Sequence, residues 1–469
     1  MRNKGFFCIL LACFLCLQSI VTPVFATQED VTGVANSCHG HDAAAAYLGS
    51  DELVENVSAI YMYEVSTDSL MYAWNPDVQV YPSSLVKVLT CLIAVETGNI
   101  EDVVTVSQTT VDSVPSDAVE VDLLDGEQMP LSDLLYCMMV GSANDAAAVI
   151  AEHISGTQAA FVQRMNERAQ ELGCTNTNFT NVHGLHDDNQ YTTARDMGRI
   201  LSEAVKNEQF MQYFSKVWYL VPATNLSEER NLATNNYLMN NDSLKIYYDE
   251  RVTGGRAGVT NDGKRSLAAS AEKDGLQIIS IVMGAVDALA EDGNTLVYGT
   301  FKETSILLDA AFNGYKAVQI VYEGQAFTQL PVLNGSCEVV LGSHTSVLTI
   351  LPVSVSAADL SYQYVPVYPE LKAPIKAGDL LSKLQIWQGS VCVAQVDLFA
   401  MHDVSVNTPT DTDDSDADGS FFEGFAVALL VIAVVAVVGY FGMKAFGRLK
   451  TASVSRRTDR YRRNRRRSR

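Results

Sequence analysis

Pro82-Ser83-Ser84-Leu85-Val86-Lys87 is the stretch of this sequence that says most about its fold. A largely apolar run follows at residues 88–95, and the pattern predicts a buried helix over residues 85–96. Ser84 and Lys87 are three residues apart at the helix start, so they lie on one face. A lysine can activate a serine hydroxyl if burial or a second cation lowers its pKa. By itself the pattern also fits an N-cap serine followed by a solvated lysine.

Gly141-Ser142-Ala143-Asn144-Asp145 is the second polar stretch, and it lies between helices predicted over residues 131–139 and 146–154. The hydroxyl of Ser142 can relay a proton to a leaving group. The amide of Asn144 can both donate to and accept from a peptide. Taken alone, the stretch favours a polar turn between helices.

Gly254-Gly255-Arg256-Ala257-Gly258-Val259-Thr260 is the third stretch, just before a strand predicted over residues 266–270. Glycine allows a ligand to approach a strand backbone closely. The guanidinium of Arg256 can bind a carboxylate. The alternative is a glycine-rich turn with an exposed arginine.

The order of elements predicts the fold class. Strands are predicted over residues 59–63, 266–270 and 278–283, with the helices between the first and the second. Helices in the middle and strands from both ends predict an α+β domain with an antiparallel sheet over residues 50–300. Short valine-rich runs then predict a small all-β domain over residues 316–403.

The three polar stretches together match the SxxK, SxN and KTG pattern of penicillin-binding proteins and serine β-lactamases. Two further stretches, Phe179-Thr180-Asn181-Val182-His183-Gly184-Leu185 and Tyr191-Thr192-Thr193-Ala194-Arg195-Asp196-Met197, resemble the low-molecular-weight D-alanyl-D-alanine carboxypeptidases of the peptidase S11 family. The resemblance implies a β-lactamase/transpeptidase-like catalytic domain, an antiparallel sheet with a helical subdomain. The all-β domain fits the same subgroup more weakly.

The resemblance also implies a role for each residue. Ser84 would attack the carbonyl between the two terminal D-alanines of a peptidoglycan stem peptide, with Lys87 as the general base. Ser142 would pass the proton to the departing D-alanine, and Asn144 would hold the substrate backbone. The backbone N–H groups of Ser84 and Val259 would form the oxyanion hole. No cofactor or metal is implied, and β-lactams are expected as covalent inhibitors.

The third stretch departs from the family pattern, because Arg256-Ala257-Gly258 stands where lysine, threonine and glycine are usual. Arg256 and Gly258 remain the expected substrate-binding residues, but Ala257 lacks a hydroxyl that would bind the substrate carboxylate. Such a hydrogen bond to a charged group contributes about 1.5–3 kcal/mol, so weaker turnover or weaker β-lactam binding is expected. A D,D-endopeptidase and a weakly active or non-catalytic wall-binding protein remain open as alternatives. A β-lactamase is disfavoured by residues 179–196.

Both ends of the chain predict export and anchoring. Arg2 and Lys4, the apolar residues 6–17 and Val24-Phe25-Ala26 are typical of a cleaved signal peptide, against an uncleaved membrane helix. Residues 424–443 carry no charge and are long enough to cross a bilayer. The chain after them holds twelve Lys or Arg and one acid, which favours the cytoplasmic side. The catalytic body is therefore expected outside the cell membrane.

The chain of 469 residues has room for two or three domains, and six segments are predicted along it. They are a signal peptide (1–26), the catalytic domain (50–300), the small β-rich domain (316–403), an acidic stalk (404–423), a transmembrane helix (424–443) and a basic cytoplasmic tail (444–469).

Charge and cysteine content restrict the partners. The formal net charge is −22 despite the basic tail, and an acidic body excludes nucleic-acid binding as a function. Of the nine cysteines, six lie after the predicted signal peptide, where disulfides are permitted. Cys337 and Cys392 are the candidate pair, against the alternative of scattered buried thiols.

Overall fold

The computed structural model describes residues 40–43, 46–49, 53–242, 244–290 and 292–407. Its helices are α1 (Val86–Thr97), α2 (Gln108–Val111), α3 (Leu131–Met139), α4 (Asn144–Ser155), α5 (Gln158–Glu171), α6 (Ala194–Ala204), α7 (Glu208–Phe214) and α8 (Gly299–Gly314). Short 3-10 turns cover Ser83–Leu85, Lys245–Tyr247 and Ala357–Asp359.

The strands before α8 are β1 (Ala59–Glu64), β2 (Ser69–Trp74), β3 (Val103–Thr105), β4 (Gln128–Pro130), β5 (Trp218–Val221), β6 (Arg230–Ala233), β7 (Val252–Val259), β8 (Arg265–Lys273), β9 (Leu276–Ala285), β10 (Ala288–Leu289) and β11 (Leu296–Val297). Those after it are β12 (Tyr315–Val321), β13 (Ala326–Leu330), β14 (Val339–Gly342), β15 (Val347–Pro352), β16 (Ser361–Pro366), β17 (Leu380–Gln388) and β18 (Val391–Ala400).

A five-stranded antiparallel sheet organises the first domain, in the order β2-β1-β9-β8-β7. Strand β1, early in the chain, pairs with β9, more than 200 residues later, with Ala59 opposite Met283. The predicted antiparallel sheet with strands from both ends is therefore confirmed. Strand β7 lies at one edge of this sheet, so one side of its backbone is free of a neighbouring strand.

Both faces of the sheet are covered. Tyr61 and Tyr63 face the helices α1 to α7, while Ile60 and Met62 face α8, as the two-residue alternation of a strand requires. All four side chains are buried. Because β1 has no solvent-exposed face, its sequence is apolar or aromatic at nearly every position.

Helix α1 lies in the centre of the domain, and residues 86–95 are all buried. Its apolar residues surround the whole helix, which is typical of a helix packed on every side. The sequence predicts a helix over 85–96; the structure places a 3-10 turn at Ser83–Leu85 and begins the α-helix at Val86. The prediction of a buried central helix is confirmed.

The second domain is all-β, as predicted. Its main sheet has the order β13-β14-β18-β17-β16, and β12 pairs with β15 in a second, two-stranded sheet. Its core contains Leu341, Leu384, Ile386, Val393 and Leu398, all buried. The valine-rich runs predicted as strands correspond to β14, β15 and β18.

The predicted disulfide between Cys337 and Cys392 is wrong, because both are free thiols. Cys337 is exposed, whereas Cys392 is buried in β18 with its Sγ 3.4 Å from the carbonyl oxygen of Ala394. Cys91, Cys137 and Cys174 are also free and buried. The alternative of scattered buried thiols therefore describes Cys91, Cys137, Cys174 and Cys392, while Cys337 is a free thiol at the surface.

No helix in the described part of the chain is long and apolar enough to cross a membrane. The predicted signal peptide (1–26), transmembrane helix (424–443) and basic tail (444–469) lie outside the described residues, as does all of the predicted stalk after Asn407.

Candidate active site

Ser84 lies in a strained turn at the start of α1. The preceding residue, Ser83, has a left-handed backbone with φ 47°, which is unusual for a residue other than glycine. Gly184, with φ 90°, lies so close that a Cβ atom there would clash with the carbonyl oxygen of Ser83. A Cβ atom at Gly258 would lie 2.9 Å from the backbone nitrogen of Ser84. Two glycines from distant segments therefore hold the turn that presents Ser84.

Lys87 is completely buried one helical turn beyond Ser84. Its Nζ is 2.7 Å from Oδ1 of Asn144, 2.6 Å from the carbonyl oxygen of His183 and 3.5 Å from Oγ of Ser84. A neutral amine has two N–H groups and one lone pair. The two acceptors take both N–H groups, which leaves the lone pair to accept the proton of Ser84.

The electrostatics of the site favour a neutral Lys87. Burial lowers the pKa of Lys87 well below its ordinary value, and the positive charge of Arg256 lowers it further. The carboxylate of Asp145 opposes this effect more weakly. Ser84 therefore has a proton acceptor within reach, as nucleophilic catalysis by a serine requires.

His183 is a poor candidate for the base. Burial and the neighbouring Lys87 lower the pKa of His183 to about 3, so its imidazole binds a proton too weakly to act as the base near neutral pH. Its Nδ1 accepts a hydrogen bond from the backbone N–H of Leu185, 3.2 Å away. What His183 contributes to the site is its backbone carbonyl, which holds Lys87.

Arg256 is also completely buried, on β7. Its Nη1 donates to the carbonyl oxygen of Met139, 2.9 Å away, and its Nη2 donates to Oγ of Ser142. Burial lowers the pKa of Arg256 to about 10, so the guanidinium is still positively charged at neutral pH. It therefore fixes a positive charge beside Ser142 and orients that hydroxyl.

Ser142 and Asn144 lie on the opposite side of the site from β7. Ser142 has φ 64°, a left-handed conformation, in the turn between α3 and α4. Asn144 is not in the loop but is the first residue of α4. Left-handed residues other than glycine cost on the order of 1–3 kcal/mol and are often found at active sites. Two of the nine among the described residues, Ser83 and Ser142, lie in this site.

The third polar stretch is a strand rather than a turn. Arg256 and Gly258 point toward Ser142 and Ser83, whereas Ala257 points to the other face of the sheet, where it is 6% exposed. Val259, at the end of β7, is 48% exposed. The arrangement places the free edge of β7 against the turn that carries Ser84, so an extended peptide can add to this edge as a further strand.

Sequence reasoning missed three contributors to the site. Two are backbone carbonyls, of Met139 and His183, and no side-chain pattern marks a backbone group. The third is Asp145, whose buried carboxylate accepts from the backbone N–H groups of Val121 and Leu123 and so ties residues 121–123 to α4. Its position beside Asn144 is the only signal in the sequence that could have revealed it.

Family models match both domains. Residues 49–287 match the family described as D-alanyl-D-alanine carboxypeptidase, and residues 315–406 match the C-terminal domain of penicillin-binding protein 5. The first match alone covers just over half of the chain.

Curated relatives cover most of the chain. This chain is 26% identical over 363 residues to the D-alanyl-D-alanine carboxypeptidase DacF of Bacillus subtilis. The aligned region covers 76% of this chain and 87% of that protein. It is also 28% identical over 354 residues to the D-alanyl-D-alanine carboxypeptidase DacA of Haemophilus influenzae. That alignment covers 73% of this chain and 84% of that protein.

A solved structure agrees with these matches. Penicillin-binding protein 5 from Haemophilus influenzae superimposes with a TM-score of 0.61 at 26% identity, covering 75% of this chain and 98% of that one. The architecture is thus the penicillin-binding protein catalytic fold followed by an all-β domain. With the family model matching residues 49–287, the chain belongs to the D-alanyl-D-alanine carboxypeptidase family of serine-type hydrolases.

Proposed function

We propose that this protein removes the terminal D-alanine from peptidoglycan stem pentapeptides through an acyl-enzyme on Ser84. The observation that carries the proposal is Lys87, a buried amine whose two N–H groups are held by Asn144 and His183 while Ser84 lies 3.5 Å away. Catalytic hydrogen bonds are often long before substrate binds, so this distance fits a site awaiting its substrate.

The reaction follows from these positions. The proton of Ser84 moves to Nζ of Lys87 as Oγ attacks the carbonyl carbon between the two D-alanines. The oxyanion is stabilised by the backbone N–H groups of Ser84 and Val259. The C–N bond then breaks, the amine of D-alanine takes a proton through Ser142, and water hydrolyses the ester on Ser84. No group outside the chain other than peptide and water is needed.

A β-lactam would enter the same path. Ser84 opens the lactam amide and forms the same kind of ester, but the leaving nitrogen stays attached to the acyl group. Because the leaving group cannot diffuse away, the adduct is expected to persist. The protein is therefore proposed as a penicillin target as well as a hydrolase.

D-alanine release from diacetyl-Lys-D-Ala-D-Ala by the full-length protein in detergent tests the function, with Ser84→Ala as the control. Release that is lost in the Ser84→Ala variant supports the proposal. Labelling of Ser84 by a fluorescent penicillin with no D-alanine release would instead indicate a wall-binding protein that has lost turnover.

For location, we propose a single-pass membrane protein with its catalytic body outside the cell and its basic tail inside. The proposal is supported by the charge-free residues 424–443, the basic tail after them and the signal-like residues 1–26. Protease added to intact protoplasts should degrade the catalytic body and spare an epitope at the C-terminus. Protection of the catalytic body would contradict this topology.

A further inference from the structure

Ser83, the residue before the proposed nucleophile, combines two features that destabilise a folded chain. Its backbone is left-handed, with φ 47°, and its hydroxyl is buried without a hydrogen-bond partner in the described part of the chain. A buried polar group of this kind gives up its hydrogen bonds to water and gains none in exchange. Such unfavourable features are often retained at functional sites. Ser83 is therefore a candidate for a role in the reaction.

The hydroxyl of Ser83 lies between the turn that carries Ser84 and strand β7. A Cβ atom built on Gly258 would clash with Oγ of Ser83, and it would also lie 2.9 Å from the backbone nitrogen of Ser84. On the other side of the turn, the carbonyl group of Ser83 lies against Gly184. Oγ of Ser83 therefore contacts the backbone of Gly258 directly, and Gly184 prevents the turn from moving away.

The two donors of the proposed oxyanion hole are neighbours of the two residues in this contact. Ser84 follows Ser83, and Val259 follows Gly258. Backbone N–H groups stabilise an oxyanion only when they lie about 2.7–3.1 Å from it. The separation of these two N–H groups depends on how closely the turn approaches β7, and Oγ of Ser83 is the side-chain atom at which the two segments meet.

We infer that Ser83 is a positioning residue, whose hydroxyl oxygen is the spacer that sets the separation of the two oxyanion-hole N–H groups. This inference rests on the proposed function, since it concerns the same acyl transfer to Ser84. The oxygen acts through its size rather than through a hydrogen bond, which agrees with its lack of a partner among the described residues. Ser83 neither contacts the substrate nor transfers a proton in this role.

Ser83→Ala removes the spacer atom and leaves a gap between the turn and β7. The two N–H groups can then shift relative to the oxyanion. Loss of a whole donor slows such reactions by about 10²- to 10³-fold, so a displaced donor should slow them less, by at least about tenfold. We expect this loss in the maximal rate of acylation of the full-length protein by a fluorescent penicillin. The penicillin concentration that gives half of that rate should change little.

The melting temperature separates a positioning role from a structural one. Because the hydroxyl has no partner to lose, Ser83→Ala should melt at the same temperature as the unmodified protein or at a higher one. Ser280→Ala is the matched control, since Ser280 on β9 is also buried and its hydroxyl also lacks a partner among the described residues. Its neighbouring strands are β1 and β8 rather than β7. This control should be acylated at the unmodified rate.

The carbonyl group of the acyl-enzyme reports on the oxyanion hole directly. Hydrogen bonds from the two N–H groups polarise the ester carbonyl on Ser84 and lower its stretching frequency. In infrared difference spectra, the ester band of the Ser83→Ala acyl-enzyme should therefore lie at a higher wavenumber than that of the unmodified protein. The band of Ser280→Ala should not move.

Three results would overturn the inference and leave the proposed function standing. They are acylation of Ser83→Ala at the unmodified rate, slower acylation with an unshifted carbonyl band, and a lowered melting temperature of Ser83→Ala, which would show that the hydroxyl stabilises the fold. If the unmodified protein is not acylated at all, the proposed function fails together with the inference.

Discussion

The start of α1 and the middle of β7 each bury a basic side chain completely, yet the two behave differently. Lys87 and Arg256 are both 0% exposed, and both hydrogen-bond to neutral oxygens. Burial brings the pKa of Arg256 only to about 10, so it stays charged. The pKa of Lys87 falls well below its ordinary value. One buried cation becomes a base, and the other remains a fixed charge.

The difference in pKa follows from the chemistry of the two side chains and from the repulsion between their charges. A guanidinium delocalises its charge and holds its proton far more strongly than an amine does. Once Arg256 stays positive, it repels a second positive charge on Lys87 and so helps to keep Lys87 neutral. Arg256 of the third polar stretch therefore lowers the pKa of Lys87 in the first, although about 170 residues separate them in the chain.

Removal of the base at Lys87 is expected to have the largest effect on the rate of acylation. Lys87→Gln keeps a polar side chain of similar reach but cannot accept the proton of Ser84. General base catalysis contributes about 10²- to 10⁴-fold, so acylation by a fluorescent penicillin should slow by that factor. Acylation at the unmodified rate would show that another group takes the proton. Circular dichroism should confirm that the variant is folded.

Displacement of the nucleophile turn is expected to have the next largest effect. Gly184→Ala adds a methyl group that clashes with the carbonyl oxygen of Ser83, and a misplacement of about 1 Å near the reacting atoms can cost about 10²-fold in rate. Gly156→Ala is the control, because Gly156 also has a left-handed backbone, with φ 75°, but nothing lies within 4 Å of the added atom. The control should lose stability by about 1–2 kcal/mol in a thermal melt and retain activity. Equal losses of activity in both variants would attribute the effect to backbone strain.

The coupling between the two cations predicts the smallest change, a shift along the pH axis. Activity requires neutral Lys87, so kcat/KM should rise as pH rises through the pKa of Lys87. Arg256→Gln removes the positive charge that lowers this pKa, so the pKa should rise and the acidic limb should move to higher pH. The plateau should fall by about tenfold because Ser142 loses a charged donor. An acidic limb that stays in place would mean that burial alone sets the pKa of Lys87.

Much of the fold could be predicted because the relevant signals are local. The apolar run at 88–95 identified α1, and Leu131–Met139 was predicted with both of its ends correct. The strands at 266–270 and 278–283 were predicted one to three residues too short at each end, since pairing extends a strand beyond its apolar centre. Asn144 was predicted in a loop but begins α4, because helix ends depend on hydrogen bonds that the pattern does not show.

The disulfide prediction went wrong for a related reason. Cys337 and Cys392 lie in the same small domain of a protein predicted to be exported. A disulfide also requires the two thiols to face one another at a fixed distance. Cys392 points into the core from β18, and Cys337 is exposed. Spacing along the chain contains no information about either direction.

The amino-acid sequence shows which groups are available: a serine and a lysine on one helical face, a second serine with an asparagine, and an arginine with an alanine where lysine and threonine are usual in the family. Their protonation and direction depend on the folded protein. The tertiary structure buries Lys87 between Asn144 and the carbonyl of His183, turns Arg256 toward Ser142 and packs Ala257 into an apolar cluster. The physical reason is that pKa and hydrogen bonding depend on desolvation and on neighbours brought together from distant parts of the chain.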